Sequence, residues 1–307
     1  MSQQGSDSLQ QDVTQIPLAF RNVGQRTRLW KGFTKFVRSK PLGAAGGAII
    51  VMLILVAVFA SAIAPYGPKL LIGKVYLDPA FFEGWNHWGT DHLGRDIFSR
   101  IMYGSRLSLY VAIIATFWGT SLGVVWGLLQ GYWGGSWFDT ISQRLVEAKQ
   151  SVPGLILALT FMAAFGPSIT NVIVAIGLFY IPSSARTIRS TTLSIREFMY
   201  IDAARAIGAS TPRIIFLHIF PNTMAIYLVL ISLHMGGAII AESSLSFLGV
   251  GVPVDEPSWG GMVTYGTQQA LLGGVPWLAI FPGVAIGLVV IGRVDTVVFT
   301  VVGSVTV

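Results

Sequence analysis

The sequence predicts an all-α integral membrane protein with about six transmembrane helices and a cytoplasmic N-terminus. Of its 307 residues, 53% are hydrophobic and 11% are charged, whereas a soluble domain carries about 25% charged residues. One run of 23 residues, 42–64, contains no charge, and at about 1.5 Å per residue it is long enough to cross a hydrocarbon core of about 30 Å. Basic residues are concentrated in particular loops, as in proteins that obey the positive-inside rule. This composition excludes an ordinary soluble globule.

The N-terminal region divides into two predicted parts before the membrane domain. Residues 1–28 are polar and predict a flexible cytoplasmic tail. Residues 29–41 interleave aromatic and aliphatic side chains with Lys and Arg, which predicts a basic interfacial helix or, equally, a basic flank of the next helix. Residues 42–307 then form the predicted transmembrane domain.

Six segments of this domain are predicted to cross the membrane. The third is weakened by Glu147, Lys149 and Pro153 near its start, and the fourth is short. The last either reaches toward the C-terminus or stops near Ile291. In order, the predicted spans are residues 42–64, 107–131, 145–165, 169–182, 225–250 and 276 onward.

The placement of charge orients these spans. Residues 21–40 carry seven Lys and Arg, and the loop 183–222 carries five Arg, so both are predicted to be cytoplasmic. The loop 250–275 has no Lys or Arg and is predicted to lie outside. The outer loop 65–106 is an exception, because it holds five basic and four acidic residues. A strong first span can carry such a loop across.

The cytoplasmic loop 183–222 is the most informative stretch. The alanines of residues 200–210 favour a short helix, which Gly208 is placed to end, while Thr211-Pro212 begins the next helix.

One face of this short helix is small and weakly apolar. Ile201, Ala204 and Ile207 or Gly208 share that face by helical spacing. If it is exposed to the cytosol, it suits entry into a groove on another protein. The alternative is a surface helix that rests on the bilayer or on the protein's own loops.

Several motifs carry a family resemblance. Asp202-Ala203-Ala204, followed after three residues by Gly208, resembles the EAA loop of permease subunits in binding-protein-dependent ABC importers, where the acidic residue is usually Glu. Three further motifs follow the order that they have in one branch of this family: GTDHLGRD at 89–96, AESSLSFLG at 241–249 and PSWG at 257–260. Together they resemble the second, C-type permease of dipeptide, oligopeptide and nickel importers.

The resemblance implies a type I ABC importer permease fold in the inner membrane of a prokaryote. Such a subunit forms half of a translocation pathway for peptides, nickel or another small solute. Its partners are a second homologous permease, two cytosolic ABC ATPases, an extracytoplasmic binding protein and membrane lipid, with no nucleic acid. The residues implied in ATPase coupling are Asp202, Ala203, Ala204, Gly208 and Ala209.

No catalytic role is predicted for this chain. The phosphate-binding motif GxxxxGK[ST] does not occur in it, so ATP and Mg²⁺ are expected on the partner ATPases and no cofactor on this subunit. Residues 87–92 include His87, Asp91 and His92, which suit a transition metal. Their turn and capping neighbours instead favour local ion pairs from Asp91 and Asp96 to Arg95 or Arg100, so no metal site is predicted.

Two features within the predicted spans point to packing or gating. Glu242 costs about 2.5–3.5 kcal/mol in a membrane helix, which predicts a gating or subunit-interface role with Ser243, through bonds to Ser243 and Ser244 or by lining the pathway. Glycines also recur every four residues in the second span, which allows close helix contact: Gly119, Gly123, Gly127 and Gly131.

Two other functional classes need features that are scarce in this sequence. An autonomous secondary transporter or channel needs ionisable residues in several spans, and here they are few. An intramembrane hydrolase needs a Ser–His pair, but His234 and Ser244 are ten residues apart, which is about 15 Å along a helix. A permease subunit remains the leading hypothesis.

Overall fold

The computed structural model describes residues 41–72, 75–76, 88–253, 255–272 and 275–305. Within these residues the regular structure is helical, and an isolated antiparallel bridge joins Thr90 to Asp96. The all-α membrane class is therefore confirmed. The tail predicted for 1–28 lies outside the described residues, as does the basic helix predicted for 29–41 apart from Pro41, which begins the first helix.

The described residues form nine helical elements, numbered here in chain order. The seventh begins with one α-helical turn, continues as a π-helix over Ile214–Ile219 and returns to α-helix. The bounds are α1 Pro41–Ile63, α2 Ile97–Tyr132, α3 Trp137–Ser151, α4 Gly154–Phe165, α5 Ile169–Ile195, α6 Met199–Ala206, α7 Thr211–Phe247, α8 Trp259–Leu271 and α9 Trp277–Val305.

Three helices, α2, α5 and α7, are long and apolar enough to cross a membrane. The pair α3 and α4 adds a fourth candidate if it is counted as one bent span. Shorter apolar helices lie at Gly47–Ile63 and Trp277–Ile291. These segments overlap the predicted spans in order, while six crossings and the cytoplasmic N-terminus stay predictions.

The predicted third span corresponds to two helices, which count as one span only if a bent pair crosses the membrane. α3 and α4 meet at 85°, and the break falls at Val152 and Pro153. Val152 is extended (φ −89°, ψ 124°), because the ring of a following proline disfavours the α conformation. The first part of this element also begins earlier than predicted, at Trp137.

Two predicted loops are shorter than expected because helices extend into them. α5 continues through Pro182 to Ile195, so the cytoplasmic loop does not begin at residue 183; membrane helices tolerate an internal proline. α2 begins at Ile97, inside the predicted outer loop 65–106. Asp96 fixes that start by accepting a hydrogen bond from the Ser99 N–H at 2.8 Å.

α8 was not predicted from the sequence, and α9 extends as a helix beyond Ile291. α8 lies within the predicted outer loop 250–275, where Ser258 caps it by accepting the Gly261 N–H at 3.1 Å. α9 continues as a helix to Val305, while its apolar segment is Trp277–Ile291, so where the last span ends stays a prediction.

The glycine repeat of α2 packs directly against α5, as predicted. A Cβ on Gly123 or Gly127 would lie 2.5 Å from a carbonyl oxygen of α5, which is closer than such atoms approach. Glycine therefore sets the spacing of this helix pair. The α5 residues that face the four glycines are Gly177, Ile181, Ala185 and Thr192.

Candidate functional site: a docking groove and two buried polar clusters

The loop after α5 forms the short helix that the sequence predicts. α6 ends at Ala206, and Gly208 follows with φ +80°, a left-handed conformation that glycine adopts without a Cβ clash. The Gly208 N–H donates to the Arg205 carbonyl at 2.9 Å, and the Ala209 N–H donates to the Ala204 carbonyl at 3.0 Å. These bonds satisfy the last carbonyls of the helix.

The predicted docking face of α6 is partly wrong. Ile201 and Ala204 are buried, in an apolar cluster that includes Ile195 and Ile214. Ile207, which was predicted to share that face, is 86% exposed. Six residues at about 100° each place Ile207 about 120° around the helix axis from Ile201, and α6 ends at Ala206, before Ile207. The inner face of α6 therefore rests on the protein's own helical core, which is neither the exposed docking face nor the bilayer or loop surface that the sequence suggested.

The outer side of α6 borders a groove with a volume of about 420 Å³, which we call the coupling groove. Of the five residues predicted to couple, Ala203, Gly208 and Ala209 line it. Ala204 also borders the groove but is only 7% exposed. Asp202 is exposed and pairs with Arg205 at 3.1 Å. The other lining residues are Tyr200, Ile207, Arg213 and His218.

Side-chain contacts attach α6 to two long helices. Asn222 Nδ2 of α7 donates to the Tyr200 hydroxyl at 3.3 Å and to the His218 carbonyl at 2.6 Å. The Arg205 guanidinium lies 5.7 Å from the centre of the Tyr132 ring, in the last residue of α2. Displacement of α6 would therefore pull on both α2 and α7.

Two arginines that the sequence suggested only as positive-inside charge make structural bonds. Arg189 holds Asp139 of α3 with two hydrogen bonds of 2.6 and 2.7 Å. Arg196 Nη1 donates to three carbonyls at the C-terminus of α2, at 3.0–3.3 Å. Sequence reasoning missed both bonds, because their partners lie 50 or more positions away. The accepting residues are Gly131, Tyr132 and Gly134.

Glu242 is fully buried inside the chain. Its carboxylate accepts hydrogen bonds from Ser246 at 2.9 Å and from Ser108 of α2 at 3.4 Å. Ser244 instead donates to the Ile240 carbonyl, so its predicted bond to Glu242 is wrong. Gly260 of α8 packs against the Ser243 backbone. Glu242 thus joins α7 to α2; a gating or interface role for Glu242 and Ser243 stays a prediction.

The segment before α2 confirms the predicted local ion pair. Asp91 Oδ2 accepts from Arg95 Nε at 2.7 Å, and Arg100 Nε lies 3.8 Å from the same oxygen. Asp96 caps α2. Among the described residues there is no group of three potential metal ligands, and His87 lies outside them. The arrangement stabilises a loop.

His92 in this segment stacks on Tyr265 of α8, with ring centres 3.8 Å apart. Burial lowers the pKa of His92; Asp91 raises it, and Arg95 and Arg100 lower it further. The stack joins the segment to α8.

The Ser and His considered for hydrolysis do not meet. His234 contacts Thr120 at 2.9 Å and Ser183 at 3.4 Å, and it stacks on Tyr180 with ring centres 4.1 Å apart. Because Ser244 bonds its own helix, these contacts give no support to a nucleophile–base pair.

Comparison with known proteins gives two family-model matches. Residues 119–300 match "Binding-protein-dependent transport system inner membrane component", and residues 28–80 match "N-terminal TM domain of oligopeptide transport permease C". The first match covers the glycine contact of α2 with α5, the coupling groove and Glu242.

Curated relatives span most of the chain. The glutathione transport system permease protein GsiD of Escherichia coli O1:K1 is 37% identical over 263 residues, which is 85% of each chain. GsiD of Pectobacterium atrosepticum is 36% identical over 85% of this chain and 86% of its own length. GsiD of Shigella boydii serotype 4 is 36% identical over 85% of both.

Proposed function

Because this chain belongs to the family of binding-protein-dependent transport system inner membrane components, we propose that it forms half of the translocation pathway of an ATP-driven importer, with α6 as its coupling element. The chain is an ABC permease of the inner membrane, of the dipeptide and oligopeptide C type. The observation that carries the coupling role is the groove in which Ala203, Gly208 and Ala209 leave space, beside a helix whose other face is anchored in the core.

The proposed cargo is a peptide. The relatives are named for glutathione transport, and the N-terminal match is to an oligopeptide permease. Nickel or another small solute is the second candidate, from the resemblance of the motifs.

The proposed assembly contains a second homologous permease, two cytosolic ATPases and an extracytoplasmic binding protein, within membrane lipid. The sequence contains no GxxxxGK[ST] motif, which supports an arrangement in which the ATPases hold ATP and Mg²⁺ and this subunit has no ATPase activity. In this assembly, residues 202–204, 208 and 209 belong to the ATPase contact.

In the proposed mechanism, ATP-driven closure of the ATPases displaces α6. Small residues at Ala203, Gly208 and Ala209 leave room for part of the ATPase surface. The buried Ile201 and Ala204 move with the bundle, so displacement of α6 rocks the long helices as a rigid body between inward-open and outward-open states.

The test is a mild-detergent pull-down of the tagged chain from its native membrane, with the bound proteins identified by mass spectrometry. Ala203→Arg places a long cation in the groove on ordinary helical backbone. Gly208→Arg does the same but adds strain at φ +80°.

Gly166→Arg is the matched control, because Gly166 also ends a helix at φ +80° with open space around a Cβ. We expect a second permease and ATPases with the wild type and Gly166→Arg, and loss of the ATPases with both groove variants. Normal ATPase recovery and normal uptake in Ala203→Arg would contradict the coupling role. Recovery of the wild-type chain alone, still active in transport, would favour an autonomous transporter.

A further inference from the structure

A cavity of about 240 Å³ lies at the end of the bundle opposite α6. Its walls come from the segment before α2, the start of α2, the end of α7, α8 and the start of α9. Arg95 and Arg100 line it, although their side chains are only 7% and 5% exposed. A cavity bordered by two buried guanidinium groups requires a chemical explanation, since charges are costly to bury without partners.

The guanidinium groups retain hydrogen-bond donors beyond those used in the protein. In the part of the chain that the structure describes, the Arg95 side chain donates through Nε to Asp91. The Arg100 side chain donates through Nη1 to the Pro68 carbonyl at 3.0 Å. Each guanidinium has five N–H donors in a planar fork that matches a carboxylate. Donors of both groups therefore remain for a ligand in the cavity.

The nearby carboxylates already have partners. Asp91 accepts the Leu93 and Arg95 backbone N–H groups on Oδ1, each at 2.9 Å, and Arg95 Nε on Oδ2. Asp96 accepts the Ser99 N–H at the start of α2. Glu256, which also borders the cavity, pairs with Lys69 at 2.8 Å. Within the described residues, the carboxylate oxygen that Arg100 approaches is Asp91 Oδ2, at 3.8 Å. Arg95 already donates to this oxygen at 2.7 Å.

From this arrangement we propose that the cavity binds the carboxylate group of a small solute, through Arg95 and Arg100. The carboxylate belongs either to a transported peptide or to a free organic acid. The peptide case rests on the proposed function; carboxylate binding itself does not. Tyr265 and Gln268 of α8 complete the wall beside the arginines, and they are the polar groups that would contact the rest of the solute.

Gln268 allows a test that avoids disturbing the ion pairs. It lines the cavity, is exposed and is on the last turns of α8. Gln268→Glu adds a negative charge beside the carboxylate, and Gln268→Lys adds a positive one. The neighbouring Gln269 does not line the cavity, so Gln269→Glu is the matched control for charge and helix position.

The measurement is the thermal unfolding midpoint of the full chain, purified with its bound partners in lipid nanodiscs, against ligand concentration. A ligand that binds the folded state raises this midpoint. The probes are glycylglycine, glycylglycinamide, in which an amide replaces the C-terminal carboxylate, and acetate. This readout does not require transport, so it separates failure of the cavity proposal from failure of the importer proposal.

We expect glycylglycine to raise the midpoint and glycylglycinamide to have little effect. Gln268→Glu should increase the half-maximal concentration of glycylglycine about fivefold or more, because like charges oppose each other. Gln268→Lys should lower it, and Gln269→Glu should match the wild type. Stabilisation by acetate as well would support a free organic acid as the source. Equal stabilisation by the dipeptide and its amide, or equal effects of Gln268→Glu and Gln269→Glu, would overturn the proposal.

Discussion

Gly119 of α2 and Gly177 of α5 lie in backbone contact, so that a Cβ added to Gly119 would overlap the Gly177 backbone. Gly177 is itself covered by the Trp118 ring. The two helices therefore meet at a point where neither chain has room for a side chain. This contact is the first of four along the glycine repeat, and it fixes the distance between two candidate membrane-spanning helices.

Gly119→Ala should destabilise the protein by about 1–3 kcal/mol, because the added methyl group forces two backbones apart. The measurement is the thermal unfolding midpoint in detergent, together with the yield of monodisperse protein. Gly283→Ala is the control, since a Cβ there meets nothing within 4 Å. It should be neutral or slightly stabilising. An unchanged midpoint in Gly119→Ala would contradict the described packing.

Gly154→Ala should also lower stability, because a Cβ at this position would overlap the Phe179 ring at the elbow between α3 and α4. Phe179→Ala removes the obstruction. The double variant should be less destabilised than the sum of the two single variants, as expected for residues in contact. Additive losses in a thermal unfolding series would show that the two positions are independent.

Stability should fall in mild acid through His92. Burial lowers its pKa from the usual 6.5, so the unfolded chain binds a proton before the folded chain does. The contribution of neutral His92 to the free energy of unfolding is complete above about pH 6.5. It is lost as the pH falls from there toward the lower pKa of the folded state. His92→Phe keeps a ring against Tyr265 and removes the titration. Its unfolding midpoint should decline less than that of the wild type between pH 7.5 and 5.5; parallel curves would refute the assignment.

Arg189→Gln should cost about 1.5–3 kcal/mol, the range for hydrogen bonds to a charged group, because it leaves Asp139 without its two short bonds. Arg144→Gln is the comparison. Arg144 and Glu147 form an exposed pair with side chains 79% and 42% accessible, for which about 0–1 kcal/mol is expected. Chemical or thermal unfolding should therefore distinguish them, and equal losses would contradict the structural role of Arg189.

The parts of the fold that could be predicted from sequence depend on local pattern. The charge-free run 42–64 predicted α1, which spans Pro41–Ile63. The glycine repeat of α2 predicted close helix contact, and the alanines with Gly208 predicted α6 and its end. Each of these signals is contained in neighbouring residues.

The errors arose where distant contacts decide the outcome. Pro182 suggested an end to the fourth span, but α5 continues past it because tertiary packing supports the helix. Pro153, of the same residue type, breaks the third span. Ile201 and Ile207 were predicted to share a face, but they lie about 120° apart around a helix; the core covers Ile201, and α6 ends before the exposed Ile207. The Ser258 cap was a local signal for α8 that the glycine-rich sequence obscured.

Because α6 directly follows α5, a small movement at the coupling groove would be enlarged at the far end of α5. α5 is a continuous helix of 27 residues, about 40 Å long, and only residues 196–198 separate its end from Met199. Treated as a lever that pivots at the α6 end, it would displace its far end by about 7 Å for a tilt of about 10°. A small angular stroke delivered at the groove would thus become a displacement as wide as a side chain at Ile169.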